Sequence, residues 1–214
     1  RLEPRQPRYC FGTDTFLAFD HQYPGTTEPL SAEEYHTHYD QLVTWGYCFL
    51  PINANHILWH LQQGRDPEIK PLGSLLRHYR ERLIKLWNLS DSQARVDEQL
   101  GVHLLGLYNQ QVIDTLRKLY AHDVSTEVSG KIFAALDLSR HAAPKVLGRE
   151  PLFFTSLFIH AITSEPVSGA GGVAIQPPSD QALEYSHWLE TVIIESGVTY
   201  EVVEEAWYHL VRYP

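Results

Sequence analysis

Among the side chains of this 214-residue chain, the twelve histidines are the most obvious candidates for chemistry. His56 and His60 are four residues apart, so on an α-helix both imidazoles lie on one face, and His36 and His38 come on the segment before. Imidazole suits zinc, copper or nickel. The chain has no His-Glu-x-x-His or Cys-x-x-Cys motif to complete such a site. We therefore interpret the pair as ordinary helix residues and predict no cofactor, with a histidine metal site as the weaker alternative.

A second candidate is Asp14, which follows the apolar run Tyr9 to Phe11. Hydrolysis assisted by divalent metals needs several convergent carboxylates, and Asp14 would be one ligand for Mg²⁺ or Mn²⁺. Its position ahead of residues 15–19 is also that of a helix N-cap. Capping is the favoured interpretation and catalysis the weaker one. The other acids of this region are Asp20, Glu33, Glu34 and Asp40.

A third candidate is a basic helical segment within an otherwise acidic chain. The formal charge of −9 opposes nucleic-acid binding by the molecule as a whole, so RNA binding would need a local basic patch. The default interpretation of such a segment is a solvated helix face, and RNA or phosphate contact is the less favoured one. Its residues are Arg77, Arg80, Arg82 and Lys85.

The elements that position these residues begin with Ser31-Ala-Glu-Glu34, which has the pattern of a capping box and predicts a helix start. Gly46 is expected to end that helix. A brief strand is predicted from Tyr47 to Leu50, in addition to one near Tyr9 to Phe11. Asn53 then caps a helix that runs up to Gly64.

Beyond a link from Gly64 to Gly73, apolar periodicity predicts helices only. We expect a mainly α fold, α+β at most: a helical bundle with one or two short N-terminal strands. The domains would be a small α/β segment, 1–64, and a helical domain, 73–214, with a mobile Gly/Pro-rich loop at 164–180. The predicted helices are 74–88, 91–120, 126–138, 151–164, 183–196 and 202–211.

Composition indicates the compartment. Cys10 and Cys48 lie in apolar runs, as reduced cytosolic thiols do, so we expect a cytoplasmic protein. The longest apolar stretch, Leu152 to Ile162, is interrupted by polar residues and is shorter than the roughly 20 residues of a membrane-spanning helix. No membrane association is expected.

One resemblance rests on residues 9–61. Phe11-Gly-Thr, then Leu30-Ser-Ala-Glu-Glu34, then Trp45-Gly-Tyr-Cys-Phe-Leu-Pro-Ile52 resemble the closing segment of PIN-like domains at the C-terminal ends of large bacterial proteins. A helical tail with a Trp-Leu helix follows in that family, matching His187-Trp188-Leu189-Glu190 here. The resemblance implies that this chain is the C-terminal part of a larger PIN-like protein and that most metal-binding acids precede Arg1.

The favoured function is therefore a helical interaction or scaffold module that packs against other domains of its parent protein or against protein partners. A metal-dependent, PIN-like ribonuclease using Asp14 is the alternative, and a histidine metal protein is the second. The chain contains no complete catalytic constellation, so enzymatic activity is left open.

Overall fold

The computed structural model describes residues 31–46, 50–92, 98–137, 154–155, 157–159 and 179–212. These residues are mainly helical and include no β-strand, which confirms the predicted mainly α fold. The predicted strand near Tyr9, most of the one ending at Leu50, and nearly all of the loop 164–180 lie outside them. The helices are α1 (Ala32–Thr44), α2 (Ala54–Gln62), α3 (Leu72–Ser92), α4 (Glu98–Ala121), α5 (Thr126–Leu136), α6 (Asp180–Glu195) and α7 (Tyr200–Arg212).

The chain divides into two compact units, Arg1–Ile52 and Asn53–Pro214. The link predicted from Gly64 to Gly73 lies within the second unit. None of the helices traced in either unit has the length and the apolar composition that crossing a bilayer requires.

In the first unit, α1 begins at a capping box and ends at a glycine. The Ser31 hydroxyl accepts from the Glu34 backbone N–H at 3.2 Å, and the Glu34 carboxylate accepts from the Ser31 N–H at 2.9 Å. This is the predicted capping box, and it satisfies two backbone donors that the first helical turn leaves open. Gly46, at φ +73°, ends the helix as predicted, because glycine enters the left-handed region at little cost.

The same unit buries Tyr39 completely, and its hydroxyl donates to the Pro51 carbonyl at 2.7 Å. A buried phenol needs such a partner, since an unsatisfied hydroxyl costs about 1–3 kcal/mol. This bond fixes the segment after α1 against the helix.

The second unit is a helical bundle built around α4, α5 and α6. Helix α5 packs most extensively against α6 and also contacts α3, while α4 contacts α2, α3, α5 and α6. Fully burying one leucine or phenylalanine contributes about 1.5–3 kcal/mol, so this shared core is the main source of stability. Its most buried residues include Ile57, Leu72, Leu75, Leu76, Leu116, Leu119, Ile132, Phe133, Leu189, Val192 and Ile193.

The largest difference from the expected helix boundaries concerns the segment around Asp91. The predicted helix 91–120 begins at Glu98 instead, and Asp91 belongs to α3. The sequence from Asn88 to Ser92 contains neither glycine nor proline, so α3 continues through residues whose propensity is low but adequate.

Candidate functional site

The histidine pair lies on α2, and the contacts at both ends of that helix position it. The Asn53 side chain accepts from the His56 backbone N–H at 3.2 Å, as the predicted N-cap. The Asn53 backbone N–H in turn donates to the Tyr79 hydroxyl of α3 at 3.2 Å. In the first turn of the helix, Lys118 of α4 donates to the Asn55 side chain at 2.6 Å. Helix α2 is thus held in register with two neighbouring helices.

At the C-terminal end of α2, the chain folds back over the histidines. Gly64 adopts φ +69°, and the Arg65 backbone N–H then donates to the His60 carbonyl at 3.1 Å. This arrangement has the hydrogen bond of a Schellman-type helix end. It brings the Arg65 guanidinium to 4.7 Å from the Trp59 ring centroid, in cation–π range.

Both histidines are fully buried, and they are directly hydrogen-bonded to each other. The His60 Nε2 and His56 Nε2 atoms are 3.2 Å apart, and Arg65 Nη1 is 2.6 Å from His60 Nδ1. The His56 ring also stacks on Trp59 at 5.6 Å with an interplanar angle of 9°. The sequence-predicted candidates are therefore brought together, and Arg65 and Trp59 join them.

The direction of these hydrogen bonds follows from arginine chemistry. A guanidinium carries donors and no acceptor, so Nδ1 of His60 must present its lone pair to Arg65. The single proton of a neutral His60 ring then sits on Nε2 and points at Nε2 of His56, which accepts. The proton of His56 is left on its Nδ1. Arg65, His60 and His56 thus form a hydrogen-bond chain that runs in one direction.

This chain bears on the metal hypothesis for His56 and His60. A metal bound at Nε2 of His60 would move the ring proton to Nδ1, where it would face the Arg65 donor at 2.6 Å. Metal binding by the pair therefore requires Arg65 to leave. Without a metal, the hydrogen-bond chain satisfies the ring nitrogens that lie between Arg65 and His56, as buried polar groups require.

The predicted basic face is described only in part. Arg77 is exposed on α3, and Arg80 is half-buried one turn later. Arg82 and Lys85 also belong to α3, but their side chains are outside the described part of the structure. Asp14 lies outside it as well. The RNA-contact and catalytic hypotheses for these residues therefore stay predictions.

A cluster of aromatic rings joins α4 to α6, and it is filled by its own side chains. The Tyr120 ring is 5.0 Å from Tyr185 and 5.4 Å from Trp188, and the latter two stack at 5.9 Å. Burial raises the pKa of the Tyr185 phenol, so that phenol stays protonated. With the rings in direct contact, the cluster serves packing.

Helix α7 has one buried face and one exposed face. Val203 and Ala206 are fully buried, the Trp207 ring stacks on Phe158 at 4.3 Å, and Thr155 donates to the Ala206 carbonyl at 3.1 Å. These contacts fix the rotation of the helix, and so they also fix which residues face outward.

The opposite side of α7 carries two tyrosines and three glutamates, and we call it the α7 outer face. Tyr200 and Tyr208 are each 59% exposed, far more than is usual for aromatic side chains. No sequence motif considered above predicted this face. The spacing of Tyr200, Glu204 and Tyr208 at i, i+4 and i+8 is a signal that could have indicated it. Its members are Tyr200, Glu201, Glu204, Glu205 and Tyr208.

Comparisons with protein-family models, with curated proteins and with solved structures give no match. The family resemblance of residues 9–61 stays a prediction.

Proposed function

We propose that this chain is a helical interaction module that binds a protein partner through the α7 outer face. The observation that carries the proposal is the exposure of Tyr200 and Tyr208 on a helix whose other side is firmly packed. Tyrosine is enriched in protein interfaces, because its ring contributes a large contact area and its hydroxyl stays satisfied when wet.

The rigidity of the helix supports the same proposal. The Phe158–Trp207 stack and the buried Val203 hold α7 in one orientation, so little conformational entropy is lost when its outer face is covered. The histidine pair is fully buried, which supports a structural role for α2.

The test compares a Tyr200→Ala/Tyr208→Ala variant with an Ile69→Ala/Leu107→Ala control. The control removes two exposed apolar side chains that lie elsewhere on the same unit. Tagged chains capture proteins from extracts of the source cells, and each candidate is then purified and titrated against the chain by calorimetry.

We expect at least one protein to bind the parent and the control, in both capture and calorimetry, and to lose affinity for the tyrosine variant. Hot-spot aromatics contribute about 2 kcal/mol or more, so the loss should reach at least about thirtyfold. Equal binding by both variants would remove the α7 outer face from the proposal.

A further inference from the structure

We infer that the α7 outer face takes a lysine or arginine side chain of the protein partner, seated over Glu204 between the rings of Tyr200 and Tyr208. This inference rests on the function proposed above and names the chemistry of the partner. Three independent observations carry it: the spacing on the helix, the charge of the surrounding segment, and the state of the three glutamates.

The spacing places a carboxylate between two aromatic rings. Residues four apart on a helix are surface neighbours with about 5–6 Å between their Cβ atoms, so Glu204 has Tyr200 on one side and Tyr208 on the other. Both rings are mostly exposed. A cation over the carboxylate would therefore lie within cation–π range of two ring faces.

The charge of the C-terminal hairpin selects a positive partner. Residues 179–212 contain seven acids and a single basic side chain of the lysine or arginine type, Arg212 at the end of α7. Such a surface repels phosphate-bearing partners and also repels a second copy of itself. The seven acids are Asp180, Glu184, Glu190, Glu195, Glu201, Glu204 and Glu205.

Of the three glutamates on the α7 outer face, Glu204 is the one open to a partner. The backbone N–H of Glu201 and then the Thr199 hydroxyl lower the pKa of the Glu201 carboxyl, so these donors already occupy it. Glu205 lies 3.8 Å from the His209 ring. Within the described ranges, Glu204 makes no ion pair or side-chain hydrogen bond.

The Glu204 carboxylate also favours a cationic partner over an apolar one. Covering the two tyrosines with a purely apolar helix would bury Glu204 without a counter-charge, which is costly. A lysine or arginine of the partner removes that cost and adds the cation–π contacts. The tyrosines then supply area, and Glu204 supplies selectivity.

The experiment uses the full chain and a fluorescein-labelled hexa-arginine peptide, with hexa-glutamate as the negatively charged control and a Gly-Ser hexapeptide as the neutral control. Binding is followed by fluorescence anisotropy at low and at physiological salt, and NMR follows the ring protons of both tyrosines. Glu204→Gln is compared with Glu81→Gln, which removes the same charge from an exposed position on α3.

Of the three peptides, we expect only hexa-arginine to bind. It should shift the Tyr200 and Tyr208 ring signals, and it should bind Glu204→Gln about two- to fivefold more weakly than the parent. Glu81→Gln should bind as the parent does. An equal loss in the two variants, unmoved ring signals, or equal binding of the Gly-Ser peptide would each overturn the inference.

The same pair of variants separates this inference from the proposed function. If a purified partner depends on both tyrosines but binds Glu204→Gln as tightly as the parent, the interaction module stands and the cation site falls. If no partner depends on the tyrosines while the peptide results hold, the cation site stands and the interaction module falls.

Discussion

The Nε2 atoms of His56 and His60 lie 3.2 Å apart, and Arg65 contacts the remaining nitrogen of His60 at 2.6 Å. Because arginine can only donate, these two distances determine the tautomer of both rings. The two histidines that first suggest a metal site are thus members of a hydrogen-bond chain that starts at Arg65.

The first prediction concerns those tautomers. Long-range ¹H–¹⁵N spectra at neutral pH should show His60 protonated on Nε2 and His56 protonated on Nδ1. The opposite tautomer of His60 would contradict the assigned direction, since its Nδ1 proton would face the Arg65 guanidinium. Exposed His187 serves as the internal reference for an imidazole outside the pair.

The second prediction concerns the stability that Arg65 contributes. Arg65→Ala removes the hydrogen bond to buried His60 and the cation–π contact with Trp59, and should lower the free energy of unfolding by about 1–3 kcal/mol. Arg77→Ala, an exposed change on α3, should stay within about 0.5 kcal/mol. Urea denaturation measures both variants, and equal effects would show that Arg65 acts as a surface residue.

The third prediction concerns transition metals. Purified chain that is equilibrated with zinc and then desalted should retain no equivalent of zinc at the histidine pair. With zinc on Nε2 of His60, the ring proton would sit on Nδ1, where the Arg65 guanidinium already donates. Elemental analysis measures the retained metal. One equivalent that is lost in His60→Ala but kept in His187→Ala would revive the histidine metal hypothesis.

The fourth prediction compares two helical glycines. A Cβ atom at Gly130 of α5 would lie 2.8 Å from the Glu195 Cβ and 3.1 Å from the Ser196 backbone nitrogen, whereas nothing lies within 4 Å of a Cβ at Gly106. Gly130→Ala should therefore destabilise the fold by about 1–3 kcal/mol through overpacking.

Gly106→Ala should instead stabilise it by about 0.5–1 kcal/mol, because alanine is the better helix former. Thermal unfolding of the two variants beside the parent measures the difference. Changes of the same sign would mean that α5 and α6 are not in close contact at Gly130.

The fifth prediction concerns the capping box of α1. Hydrogen bonds from the Ser31 backbone and then from its hydroxyl lower the pKa of Glu34 from the ordinary value of 4.5. A carboxyl whose pKa is lowered by folding stabilises the folded state above its ordinary pKa, and this contribution is lost as pH falls through the lowered value.

NMR titration of the Glu34 carboxyl should show this lowered pKa, and Ser31→Ala should move it back up toward the ordinary value. A Glu34 pKa that Ser31→Ala leaves unchanged would contradict the contribution of the Ser31 hydroxyl.

The helix ends were predictable because their causes are local. The Ser31 capping box, the Asn53 cap, and the stops at Gly46 and Gly64 all depend on residues within a few positions of each other, and each is found as expected. Backbone donors and left-handed φ angles are short-range requirements, so the sequence displays them directly.

The sequence by itself thus determined the caps and glycine stops of several helices, the mainly α class, and the pairing of His56 with His60 on one helix face. Only the tertiary structure determined which contacts those helices make and which of their residues are exposed. The fold-back at Gly64 gave His60 an arginine partner, and packing against Phe158 turned Tyr200, Glu204 and Tyr208 outward. Burial and ring rotation depend on neighbours distant in sequence, and apolar periodicity indicates a buried face without identifying what covers the other one.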